Sequence, residues 1–190
     1  MNTFLRKYRE RYYTTKCAVY PVTPHKCLLG AAKHGNLKTF DTAVEKHPRL
    51  DENVYFAALR IATKYGHMDI VDRILEIVGS NTKSYDAILK SAARVGNNDL
   101  IQLMIQKGAK TINEGLNIAA DAGNLDTVRF LLENNASGLG KALESAAKKG
   151  YYDVVELLLE QGAGNLDRSA KLAEKLGYRD IDALIRTYML

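Results

Sequence analysis

The sequence predicts an all-α fold, an α-solenoid of about six helix-turn-helix units behind an N-terminal basic helix. Three observations predict it. A glycine recurs at Gly35, Gly66, Gly96, Gly123, Gly150 and Gly177, at intervals of 31, 30, 27, 27 and 27 residues. Seven residues before each glycine stands Leu28, Leu59, Leu89, Leu116, Leu143 or Ala170, and four before it Ala31, Ala62, Ala92, Ala119, Ala146 or Ala173. After four of the glycines come runs that are apolar on more than one side: VDRILEIV, IQLMIQK, VRFLLEN and VVELLLEQ. A fixed period of this kind marks a repeat architecture in which each unit covers its neighbour.

Composition agrees. With 190 residues, 46% hydrophobic and 26% charged, the chain has enough apolar surface for a core and is not globally disordered. Two Cys rule out a disulfide scaffold and suit a reducing compartment. No apolar run approaches the roughly 20 residues that span a bilayer. The start, MNTFLRKYRERYYTTK, lacks the apolar core of a secretion signal. The chain therefore reads as soluble, intracellular and cytoplasmic.

Residues 1–24 form a basic, aromatic arm. Residues 1–27 hold six Lys and Arg against the single acid Glu10, so the whole net charge of +5 lies there. A helix over 3–13 places Phe4, Tyr8 and Tyr12 on one side and Arg6, Lys7 and Arg9 elsewhere, with Arg11 close by. Two readings stay open. The arm caps the exposed end of the first repeat, which every solenoid needs, or its cations and aromatics hold nucleic acid or an anionic membrane. A mitochondrial presequence shares the same features.

The repeat domain occupies residues 25–190, in units of about 25–53, 54–83, 84–110, 111–137, 138–164 and 165–190. In each, the Leu and Ala columns fall on one face of a short first helix, and the Ala lets a neighbouring helix approach closely. The glycine suits the left-handed residue that ends that helix. Asn36, Asn97 and Asn124 follow as N-caps of the second helix, worth about 1 kcal/mol each. An acid stands three after the glycine (Asp69, Asp99, Asp126, Asp153, Asp180), where the positive helix end favours it; Lys38 is the exception. Gly108-Ala109 and Gly162-Ala163 close two second helices. In the sixth unit Asp182 and Arg186 replace apolar residues, as a C-terminal cap requires.

An alanine pair, two variable residues, glycine, acid, apolar pair, Leu-Leu and Gly-Ala: this succession resembles the ankyrin repeat, with AADAGNLDTVRFLLENNA and AAKKGYYDVVELLLEQGA as its best matches. The intervals of 27 are shorter than the family's 33 or so, and KTINEGLNI is too short for both a hairpin finger and a helix start. The resemblance therefore implies short or missing β-hairpins and recognition by the concave helical face. Shortened arrays of this style are similar to those of large DNA viruses and some intracellular bacteria, which implies a host-interaction protein working in a host cell or virion.

The resemblance further implies that the two residues before each glycine line the concave face. The first column gives Lys33, Lys64, Arg94, Asp121, Lys148 and Lys175; the second brings Tyr65 and Lys149. Five cations in six positions predict a groove for an acidic or amphipathic segment of a partner protein, with Tyr65 as an anchor. The same column also suits Lys and Arg as helix formers in a last turn. Glycine-rich phosphate loops, HExxH and GxSxG are absent from the sequence, which predicts no enzyme, no cofactor and no small-molecule substrate. Cys17, His25, Cys27 and His34 match no familiar zinc spacing, and Cys27 sits in a column held elsewhere by Ala58, Ile88 and Ala142, so packing is expected rather than a metal. The runner-up is a nucleic-acid-associated or virion structural component held by the arm.

Overall fold

The structure, a computed structural model, describes residues 24–190 apart from residue 49. The arm, with Arg6, Lys7, Arg9 and Arg11, lies outside the described residues. Among those described there are twelve α-helices and no strand. They are α1 (Pro24–His34), α2 (Leu37–Lys46), α3 (Glu52–Tyr65), α4 (Met68–Val78), α5 (Thr82–Val95) and α6 (Asn98–Gln106). There follow α7 (Ile112–Ala122), α8 (Leu125–Glu133), α9 (Leu139–Lys149), α10 (Tyr152–Glu160), α11 (Leu166–Leu176) and α12 (Arg179–Thr187). The helices form pairs, as the glycine period requires.

Each pair is joined by a two-residue turn whose chemistry is the same throughout. The glycine takes a positive φ, between 67° at Gly35 and 85° at Gly177. The next residue's N–H then reaches back to the alanine carbonyl five residues earlier: Asn97 to Ala92, Asn124 to Ala119, Tyr151 to Ala146, Tyr178 to Ala173, at 2.9–3.1 Å. The alanine column thus has two tasks, close packing through its methyl and termination of the helix through its carbonyl.

The chain divides into two compact units at Ile88 and Leu89, within α5. In the first, α1 packs on α2 and α3, and α3 on α4. Its core holds Leu28, Phe40, Leu59, Ile70 and Ile74, all without exposure. Arg73 on α4 donates to Asp41 on α2 at 2.8 Å and to Glu76 at 2.8 Å, and these two hydrogen bonds raise its pKa further. Cys27 is buried, in the repeat column that Ala58, Ile88 and Ala142 hold elsewhere.

In the second unit, first helices stack on first helices, α7 on α9 on α11, while α10 packs against both α8 and α12. That sandwich buries Val154, Val155, Leu157, Leu158 and Leu159, as the apolar run predicted. The similar run in α6 behaves differently: Leu100, Ile101 and Met104 are buried, but Leu103 is 41% exposed. An apolar residue on the outer side of a second helix is not enough to wrap that helix.

The sixth repeat carries a polar cluster. Arg186 donates to Asp182 at 2.8 Å and to Glu174 at 3.1 Å, which raises the guanidinium pKa; Arg186 and Glu174 are exposed and Asp182 is half-buried, at positions that are apolar in the two preceding repeats. Among the described residues no helix is long and apolar enough to cross a membrane.

Candidate interaction groove

The equivalence of the units sets up the site. Counting back from Gly150 and Gly177, positions nine, six, five and two residues earlier fall on one face of α9 and α11, since steps of three, four and seven return to the same side of a helix. On α9 these are Lys141, Glu144, Ser145 and Lys148; on α11 they are Arg168, Lys171, Leu172 and Lys175. With Asn117 of α7 and Asn165, the N-cap of α11, they line a groove of about 770 Å³. Five cations face it against a single acid.

Ion pairing divides the cations. Arg168 meets Glu144 at 3.1 Å, and Lys171 meets Asp167, one turn earlier on its own helix, at 2.7 Å. Among the described residues Lys141, Lys148 and Lys175 have no carboxylate within ion-pair distance. All three side chains are exposed, so each is a hydrated cation that needs no partner for folding. The groove floor is ordered by a neutral contact, Ser145 Oγ donating to Asn117 Oδ1 at 2.7 Å between α9 and α7. Leu172 is half-buried between Lys171 and Lys175 and supplies an apolar strip.

The expected site residues separate accordingly. Lys148 and Lys175 come together in the groove. Lys149 points to Asp121, 4.0 Å away, and does not line it; Arg94 does not line it either. In the first unit Lys33, Lys64 and Tyr65 stand exposed on the last turns of α1 and α3. Tyr65 is 46% exposed, with the Lys64 ammonium 5.7 Å from its ring centre and the His67 ring stacked 6.4 Å away. Sequence reasoning missed Lys141, Arg168 and Lys171. Extending the basic column backwards by one and two helical turns finds all three.

One further correction concerns the caps. Asn36 and Asn97 accept from Thr39 and Leu100 N–H at 3.0 Å, as expected. Asn124 does not cap. Its amide instead donates to the carbonyls of Ala93 and Arg94 in the preceding repeat, both at 3.0 Å. His67 makes the equivalent contact with Lys33 O at 3.2 Å, and Tyr151 and Tyr178 occupy the same position with rings laid over Gly123 and Gly150. At His67, Asn124, Tyr151 and Tyr178 the residue after the glycine is therefore a lock between repeats. Where it is tyrosine, the earlier glycine is needed twice over: a Cβ on Gly150 would lie 2.6 Å from the Tyr178 ring.

Residues 89–169 match the family model described as ankyrin repeats, in three copies. Among solved structures, the human ASB11 ankyrin repeat domain is similar over 85% of this chain and 82% of that one, at 23% identity and a TM-score of 0.59. No curated protein matches the chain. The segment 89–169 therefore carries ankyrin repeats, and the likeness to the solved domain shows that the chain has the ankyrin-repeat fold. Ankyrin-repeat domains are generally protein–protein interaction modules and typically not enzymes.

Proposed function

We propose that this protein is a non-catalytic interaction module that docks an acidic segment of a partner protein along the first-helix groove of its second unit. The observation that carries the reading is the set of unpaired lysines, Lys141, Lys148 and Lys175, converging on one groove beside Leu172. A carboxylate entering there meets ammonium groups that pair with no acid among the described residues, and complementarity of this kind favours both encounter and choice of partner. Leu172 gives an apolar side chain of the partner a place to rest, so an amphipathic acidic segment fits better than a plain polyanion. On the first unit, Lys33, Lys64 and Tyr65 offer a second patch of similar chemistry.

The test is a fluorescence titration of a labelled oligo-glutamate peptide with the full chain. The triple charge reversal Lys141→Glu, Lys148→Glu and Lys175→Glu is expected to weaken binding by tenfold or more, about the scale set by removing a few exposed ion pairs at once. Binding by the unaltered protein is expected to fall as salt rises. Equal affinity of the two proteins at low salt would remove the groove from the account.

A further inference from the structure

Glu144 is the one acid in the groove, and it is held by two donors. Arg168 Nε lies 3.1 Å from Oε2, and Asn165 Nδ2 donates to Oε1 at 3.0 Å. The Glu144 side chain is only 18% exposed, whereas that of Arg168 is 77% exposed. A carboxylate therefore sits in a two-donor receptor, and the carboxylate belongs to the protein itself.

The local structure around Asn165 departs from what folding alone favours. Its φ is +61°, one of two non-glycine residues in the left-handed region among those described. One repeat earlier the same position is Gly138, at +86°, which adopts that conformation without a side-chain penalty. Asn165 also stands at the N-cap of α11, yet its side chain makes no capping bond. Its neighbour Gly140 leaves the space its amide uses, since a Cβ there would lie 2.8 Å from Nδ2. A strained backbone, a cap left unused and a cleared neighbour all serve one contact, that with Glu144. Local rules broken together in this way point to a binding role.

We propose that Arg168 and Asn165 form a carboxylate-binding subsite at one end of the groove, filled in the free protein by Glu144 and taken over by an Asp or Glu side chain of the partner. The inference rests on the groove reading above and deepens it. The exchange balances: one carboxylate leaves the two donors and another enters, while Glu144 turns to water beside Lys141 and Lys148. The pair it gives up is largely exposed on the arginine side and so is weakly held. Glu144 thereby sets specificity. A partner must offer a carboxylate placed well enough to compete with a tethered one, and a diffuse negative charge does not meet that demand.

Removing the internal carboxylate opens the subsite. Glu144→Gln is expected to tighten oligo-glutamate binding about tenfold, the scale of a charge-assisted hydrogen-bonded contact. Relief of repulsion alone predicts the same direction, so a neutral second change decides. Asn165→Gly suits the backbone, as Gly138 shows, and removes a donor without altering charge. In the Glu144→Gln background it is expected to return the affinity to within about twofold of the unaltered protein. Circular dichroism at 222 nm checks that each variant stays folded. If Asn165→Gly leaves the tightened affinity intact while the triple lysine reversal still weakens binding, the subsite is overturned and the groove stands. If the lysine reversal has no effect, the groove reading and the subsite fall together.

Discussion

The two compact units use the same helix pair and differ in regularity. In the first, Gly35 and Gly66 lie 31 residues apart and α3 runs to 14 residues. In the second the spacing settles at 27, and α7, α9 and α11 each have 11 residues while α8, α10 and α12 each have 9. Equal helices bring equal positions into line. One basic column then becomes one basic wall, and the polar residues of successive first helices meet across a shared groove. The family signature over residues 89–169 falls within this regular unit. Regular spacing in the second unit thus turns residue type into surface.

The largest test of the contrast concerns how each unit fills its core. Phe40 is fully buried at a position where the next four repeats carry Val71, Ile101, Val128 and Val155 and the last carries Asp182. The first unit thus fills this position with an aromatic in one repeat and Val71 in the next, while the second unit uses aliphatic residues at Ile101, Val128 and Val155. Phe40→Ala is expected to cost about 3–5 kcal/mol, and Leu143→Ala, fully buried in α9, about 2–4. Urea titrations followed by circular dichroism measure both. A smaller loss at Phe40 than at Leu143 would show that the irregular unit does not depend on its single large side chain.

An intermediate effect separates two glycines of identical sequence role. Gly150 and Gly177 both take positive φ, 79° and 85°, but only Gly150 lies under a neighbouring tyrosine; nothing stands within 4 Å of a Cβ on Gly177. Gly177→Ala bears the backbone strain alone, about 1 kcal/mol. Gly150→Ala adds displacement of the Tyr178 ring, for about 2–3 kcal/mol in all. Comparable losses in thermal unfolding would mean that the ring moves aside freely and that the lock between repeats is loose.

How much of this was legible beforehand follows from which forces leave a mark on residue type. The Leu and Ala columns were readable because burial repeats with the helix period, and the turn glycines because only glycine enters the left-handed region cheaply. Lys148 and Lys175 were readable as a column, but Lys141, Arg168 and Lys171 lay one and two turns back, outside the register in which that column was read. The exposure of Leu103 was not legible, because an apolar residue carries no record of whether anything covers it. The partner role of Asn165 was invisible, since its backbone angle and its bond to Glu144 are properties of the folded chain.

The smallest effect is also the sharpest. Asn97 and Asn124 occupy the same repeat position, and each was expected to cap the helix that follows. Asn97 does so as an acceptor, from Leu100 N–H at 3.0 Å; Asn124 acts as a donor, to the carbonyls of Ala93 and Arg94. Aspartate keeps the acceptor and loses the donor. Asn97→Asp is therefore expected to be neutral or slightly stabilising, by a few tenths of a kcal/mol, since a carboxylate suits the positive helix end. Asn124→Asp turns a donor into a charge facing two carbonyl oxygens and is expected to cost about 1–2 kcal/mol. Hydrogen exchange is expected to show faster opening of the amides at the end of α5 in the second variant and not in the first. If both variants match the unaltered protein, the asparagines are interchangeable and the repeats are held together by packing alone.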